Sequence, residues 1–385
     1  MIRQFTPNWF AATMGTGILA LALAQFPYAI PGLKRIGETL WVFNIGLFTL
    51  FSILYAARWI MFTQEASRIF RHSVVSMFIG TIPMGLATII NGLIVFGLPR
   101  LGAGVIPIAE ALWWTDVVMA IVCGVTIPFL MFTIQDHSID QMTAVWLLPV
   151  VAAEVAAASG GIIAPHLADA NSQFIMLITS YVLWAYSVPI SFVILTILLL
   201  RMALHKLPHK SMAASSWLAL GPIGTGALGM LIFGTDAPAI FANSGFAQIG
   251  TVAAGIGTIA GLALWGFGFW WLLLAILITI RYFRQGNPFN LGWWGYTFPL
   301  GVFAIATLKL GTVLQLSFFA FVGAGLVATL IIMWCVVALK TLHGGWKGQL
   351  FVSPCIASIG SSLAELLPDG KTENGTQSLA TPPMI

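Results

Sequence analysis

Long apolar stretches alternate along the chain with short polar ones. Ten of these stretches approach or exceed the roughly 20 residues a helix needs to cross a hydrocarbon core. They are roughly 9–26, 39–62, 74–97, 111–134, 142–164, 174–200, 213–234, 256–282, 293–313 and 317–340. The eighth apolar region begins earlier, near Gly250, and its small-residue start "GTVAAGIGTIAG" is either a loop or an extended helix end. After Lys340 the chain turns polar. A single transmembrane domain over 1–345 is therefore expected, followed by a cytoplasmic tail over 346–385. The tail's Pro, Gly, Ser and Thr content predicts that it is largely disordered.

A repeat is superimposed on this pattern. Spans three, five, seven and nine each carry a proline near the middle: Pro83, Pro149, Pro222 and Pro299, at intervals of 66, 73 and 77 residues. Span one has "TMGTG" at the equivalent depth, with the helix-weakening Gly15 and Gly17, and Pro128 and Pro189 of the even spans fall elsewhere. A mid-helix proline frees a carbonyl one turn back and bends the axis. Broken backbone is tolerated in a membrane only when buried in protein or facing a watery cavity. One such proline is explained by packing alone. Four at matching depth favour an all-α integral membrane fold of ten helices in five hairpins with quasi-fivefold arrangement, the odd helices lining a central pore and shaped there by these residues.

Composition sharpens the class. Of 385 residues, 59% are hydrophobic and 7% charged, against about a quarter charged in soluble domains. The partner surface is a lipid bilayer. The net charge of +4 is read through loop asymmetry and not as a nucleic-acid footprint. Of the 16 Lys and Arg, 12 fall on the side of the termini and 4 (Lys34, Arg35, Arg100, Lys309) on the other. That asymmetry predicts cytoplasmic termini in a plasma membrane, the inner membrane if the source is bacterial. Cys123, Cys335 and Cys355 have no paired spacing, and His137 with Asp140 and His166 with Asp169 lack further ligands nearby. No metal, no cofactor and no nucleophile–base constellation is indicated, so an enzyme is the disfavoured class. Trp113, Trp114, Trp270, Trp271, Trp293 and Trp294 read as interfacial or packing residues.

The stretches "FTPNWFAATMGTGIL", "GPIGTGA" and "FNLGWWGYTFPLG" resemble the tellurite-resistance/dicarboxylate transporter family, which includes bacterial tellurite-resistance proteins, the yeast malate permease, fungal sulfite efflux pumps and plant slow anion channels. The resemblance covers about residues 3 to 355. It implies ten helices with a pore in each protomer, a homotrimer, and a phenylalanine on the ninth helix closing the pore, which the "TFPLG" context matches to Phe298. It also implies small anions as substrates: C4-dicarboxylates such as malate or succinate first, with sulfite efflux as the alternative, and chloride or nitrate as further candidates.

If Phe298 points inward, a turn of about 100° per residue brings Val302, Ile305 and Lys309 onto its face, Lys309 about 16 Å away. The same offsets from proline give Ile82 and Leu86, then Leu148, Ala152 and Ser159, then Gly221 and Thr225. Such a lumen is apolar and small, with a few hydroxyls and no carboxylate ring, which disfavours cations. Lys309 is either a cation at one mouth or a snorkelling anchor. Glu154, five residues past Pro149, points about 120° off that face; it is either structural or coupled to protons. Asp116 reads as an interfacial anchor.

Overall fold

In the computed structural model, residues 1–353 are described; the expected tail beyond them lies outside the described residues. Those residues form helices and turns, with no strand. We number the spans α1 (Phe10–Ala24), α2 (Leu33–Met61), α3 (Val75–Leu101), α4 (Val105–Thr133), α5 (Ala144–His166), α6 (Ala170–His205), α7 (Lys210–Asn243), α8 (Ala247–Arg284), α9 (Leu291–Leu314) and α10 (Ser317–Trp346). Among the described residues, nine of them, α2 to α10, are long and apolar enough to cross a membrane. The first, α1, has 15 residues, about 22 Å at 1.5 Å per residue, and every residue from Phe10 to Leu23 is buried. "GTVAAGIGTIAG" is helix within α8, and α7 runs past residue 234 to Asn243.

Burial separates the two kinds of span. In the most apolar window, α3, α5, α7 and α9 are 72, 94, 89 and 72% buried, whereas α2, α4, α6, α8 and α10 are 17 to 33% buried. The odd spans therefore form an inner layer, and the even spans turn their large apolar side chains outward. Each odd span touches the next, and α9 touches α1, which closes the ring; each even span packs against the odd span before it and the odd span after it. This is the quasi-fivefold order expected from five hairpins.

A repeated hydrogen bond ties the layers together. From each even span one tryptophan reaches the odd span that follows. Trp41 donates its indole N–H to the carbonyl of Ile89 at 3.1 Å, Trp113 to that of Ala156 at 2.8 Å and Trp184 to that of Gly226 at 3.0 Å. Trp265 donates to Thr307 Oγ1 at 2.8 Å, and Trp334 of α10 closes the circle on Thr16 Oγ1 of α1 at 3.1 Å. The five lie 72, 71, 81 and 69 residues apart. Trp113 is thus one member of an inter-layer set. At the seam between the ends of the chain, Arg58 donates to the Phe5 carbonyl and to Ser353 Oγ, and the Ser353 N–H donates to Gln4 Oε1 at 2.7 Å.

The prolines do not kink continuous α-helices. In α3, α5 and α9 the chain enters as a 3₁₀ segment (Val75–Gly80, Ala144–Leu147, Leu291–Tyr296) and becomes α-helical at Thr81, Leu148 and Phe298. In α7 a short helical turn, Ser215–Leu218, precedes the main helix from Leu220, and in α1 the turn Pro7–Trp9 precedes Phe10. Pro83, Pro149, Pro222 and Pro299 sit within the first three residues of the α-helical parts. There a missing N–H costs nothing, since the first N–H groups of a helix have no intrahelical acceptor, and the fixed φ suits helix initiation.

The junctions lie against one another. Thr81 Oγ1 donates to the Pro7 carbonyl at 3.0 Å, and Gly80 rests on the Leu148 carbonyl so closely that a methyl group there would overlap it. Likewise a methyl at Gly15 would strike Thr297 Oγ1, and one at Gly17 would strike Thr88 Oγ1. Gly15 and Gly17 thus let α1 approach α9 and α3.

Replacing Gly80 with Ala should cost about 1–3 kcal/mol of stability, the usual range for overpacking a filled interior, because the obstacle is backbone. The even-span control Gly46→Ala meets nothing within 4 Å and should be neutral or slightly stabilising. Thermal melts of the two purified variants in detergent check this: equal melting temperatures would mean the α3–α5 seam yields freely.

Candidate functional site

The ring of odd spans encloses two cavities end to end. The inner one, of about 130 Å³, lies at the proline junctions and is lined by residues at or near each α-helical start, among them Ala11, Thr81, Leu148, Gly221, Phe298 and Pro299. The outer one, of about 420 Å³, is lined among others by Thr88, Asn91, Thr225, Val302, Ile305 and Lys309. Among the described residues, Phe298 is the single one that lines both. It is 3% exposed.

Local sequence explains why an aromatic stands there. Thr297 donates its hydroxyl to the Trp294 carbonyl at 2.7 Å, and the Gly301 N–H donates to the Thr297 carbonyl at 2.9 Å. These bonds fasten the junction on both sides of Phe298. Pro299 then fixes the start of the helix behind it. Gly301 lies against Ile18 of α1 with no space for a side chain.

The electrostatics come from backbone as well as side chains. Five α-helical segments begin at the level of the inner cavity, and the aligned peptide dipoles of each give partial positive charge toward its start. Among the described residues, no ionisable side chain lines the inner cavity. The outer cavity has Lys309 of α9, Asp236 of α7 and His166 of α5. Asp236 went unread in the sequence because span seven was ended at residue 234, two residues short of it.

The residues singled out from sequence fall as follows. Leu148 lines the inner cavity, Thr225, Val302, Ile305 and Lys309 the outer, and Phe298 both. Ile82, Leu86, Ala152 and Ser159 are not among the lining residues; Thr81, Met84 and Thr88 of α3 and Val151, Val155 and Ala158 of α5 stand there instead. One rotation cannot be carried from helix to helix when proline is the third residue of the helix in α3 and the second in α5 and α9. Of the four prolines only Pro299 reaches a cavity wall. Glu154 is fully buried off both cavities, its Oε2 accepting from Ser187 Oγ of α6 at 3.3 Å. Asp116 is fully buried. His137 shares a hydrogen bond with Gln135 Oε1 at 2.9 Å, and burial holds its imidazole below the ordinary range. Asp169 caps α6 by accepting from the Ser172 N–H at 2.8 Å.

The family model described as voltage-dependent anion channel matches residues 4–342. Over 352 residues the chain is 36% identical to the sulfite efflux pump of Arthroderma benhamiae, covering 91% of this chain and 93% of that one. It is 29% identical to an uncharacterized transporter of Methanocaldococcus jannaschii, covering 91% and 96%. It is 25% identical to the malic acid transport protein of Schizosaccharomyces pombe, covering 86% and 76%.

Truncating Phe298 to Ala should join the two cavities. In a variant lacking Cys123, Cys335 and Cys355, a cysteine placed at Val302 should react with a polar thiol reagent supplied from the N-terminal side only when Phe298→Ala is also present. Equal labelling with and without the phenylalanine would deny it the role of a partition.

Proposed function

Because the chain belongs to the voltage-dependent anion channel family, we propose that it carries small anions across the membrane through the lumen of its own odd-helix ring, with Phe298 as the barrier that must move. The observation that carries this reading is that Phe298 alone lines both cavities. An anion arriving at the inner cavity meets five helix starts and hydroxyl or amide groups such as Thr81, Ser215 and Asn8. Partial charges bind it weakly, which permits release as readily as capture. Past Phe298 it meets Lys309. Transport and not turnover is the activity in this reading, in keeping with the matching family model.

Sulfite is the first substrate in this reading and a C4-dicarboxylate the second. Of the relatives named for sulfite, the one compared above is 36% identical, against 25% for the malic acid protein, while two others so named are 26 and 24% identical. The lumen also offers one lysine, whereas two carboxylates would be served by two separated cations. Both termini face the cytoplasm in this reading, from the 12 to 4 asymmetry of cations, in a plasma membrane. The outward apolar faces of the even spans meet lipid and the neighbouring protomers of a homotrimer. Glu154 belongs to the α5–α6 contact through Ser187 and not to proton coupling, since it stands away from the lumen.

Proteoliposome flux with sulfite, malate, succinate, nitrate and chloride, each with and without a proton gradient, tests the proposal. Sulfite should move faster than malate, and Phe298→Ala should raise the flux of every permeant anion by about tenfold or more, equivalent to about 1.4 kcal/mol off the barrier. If neither the wild type nor this variant passes any anion, the reading fails. Lys309→Gln should slow anion uptake by about threefold to tenfold, the effect of one charge a few ångströms away at a water-like dielectric; wild-type rates and reversal potentials would make Lys309 an anchor only.

A further inference from the structure

The outer cavity contains a charge that an anion pathway has no obvious reason to keep. Three ionisable side chains line it: Asp236, Lys309 and His166. Asp236, Lys309 and His166 come from three different odd spans and share this one cavity. Asp236 and Lys309 are not in ion-pair contact; the ion pairs among the described residues are Arg3–Glu65 and Arg100–Glu38. The remaining wall is apolar or neutral: α1 and α3 contribute Gln25, Asn91 and Thr88. When His166 is neutral, the cavity therefore has one positive and one negative fixed charge and no net charge.

That balance matters differently for anions of different valence. The cost of taking an ion out of water grows with the square of its charge, whereas its attraction to a fixed charge grows only in proportion. A monoanion can cross a neutral cavity on partial charges and hydroxyls. A dianion faces about four times the desolvation cost and needs a net positive wall to offset it. We propose that Asp236 is the specificity-determining residue of the outer cavity: as the counter-charge to Lys309 it leaves the cavity neutral, so that monovalent anions pass in preference to divalent ones. The inference rests on the anion-transport reading above and assigns to that lumen a charge class of substrate. For sulfite it selects the singly charged hydrogen sulfite, and for a dicarboxylate the singly protonated form.

The test uses anions of fixed valence, nitrate and sulfate, with the full-length protein in liposomes at about pH 8, where an ordinary imidazole is neutral. Removing one negative charge lowers the barrier for a dianion twice as far as for a monoanion. Asp236→Asn should therefore raise nitrate flux by about threefold and sulfate flux by about the square of that, roughly tenfold. Asp236→Glu should keep the wild-type ratio of sulfate to nitrate. Lys309→Gln, which leaves the cavity negative, should lower that ratio by about threefold. The double variant Asp236→Asn with Lys309→Gln, neutral again, should return it to the wild-type value. A ratio unchanged in both single neutralised variants overturns the inference, as does a double variant that keeps the ratio of Asp236→Asn alone. Should Asp236→Asn fail to fold, Asp236→Ser, which removes the same charge, has the same expected ratio. Wild-type liposomes that pass neither nitrate nor sulfite would overturn the transport reading itself, whereas an unchanged ratio in conducting variants overturns only the role of Asp236.

Discussion

A proline has no N–H to place in a hydrogen-bond ladder, and inside a membrane there is no water to excuse the carbonyl it leaves unpaired. Four of the five inner spans satisfy that constraint in one way. They switch from a tight turn to α-helix at the proline, so the missing donor falls where a helix has no acceptor for it. The switch occurs at one level, because the junctions contact one another through Thr81, Pro7, Gly80 and Leu148. The lumen at that level is consequently walled by helix starts, and a phenylalanine at one of these starts can fill it. The inner cavity's wall of helix starts and the place of Phe298 in it follow from where the α-helical parts begin.

Holding five such junctions together demands very short distances between helices. Glycines supply them where backbone meets backbone or hydroxyl, as at Gly80 and Gly15. Small side chains on the inner layer leave little to specify rotation, and the tryptophans of the outer layer provide it. Each indole N–H bonds to the next odd span, worth about 1 kcal/mol net apiece, while its ring fills the space beside it. The bonds from Trp334 to Thr16 and from Arg58 to Phe5 and Ser353 make the last seam equivalent to the other four, although its partners lie at opposite ends of the chain.

Electrostatics divides along the same boundary. The inner cavity has no ionisable side chain and relies on backbone charge; the outer has a lysine balanced by an aspartate. Weak attraction on one side and near-neutrality on the other suit passage more than retention. Glu154 and Asp116, both fully buried, stand outside both cavities, and Glu154 accepts from Ser187 across the α5–α6 contact.

Much of this was legible in the chain itself. Apolar length and the near absence of charge dictated a bundle of crossing helices, since no other use of such a sequence satisfies its backbone in lipid. The proline period marked which spans are inner, and the aromatic beside Pro299 marked a residue that lines both cavities. Those are local properties: length, period and the identity of a neighbour. Rotation was not local. Ile82, Leu86, Ala152 and Ser159 were placed by a helical phase that assumes an unbroken helix, whereas the 3₁₀ entries reset the phase separately in each span. The tryptophan set has a period as plain as that of the prolines, yet only the ring tells which carbonyl or hydroxyl each indole meets. Asp236 lay beyond an end drawn by hydropathy, because a polar residue lowers the apolar average even where it faces a cavity and the helix continues. What the sequence by itself determined was the count and order of apolar segments and the depth of their breaks; which side chains share the lumen was decided by tertiary packing, because that depends on how five separate helices are turned against one another.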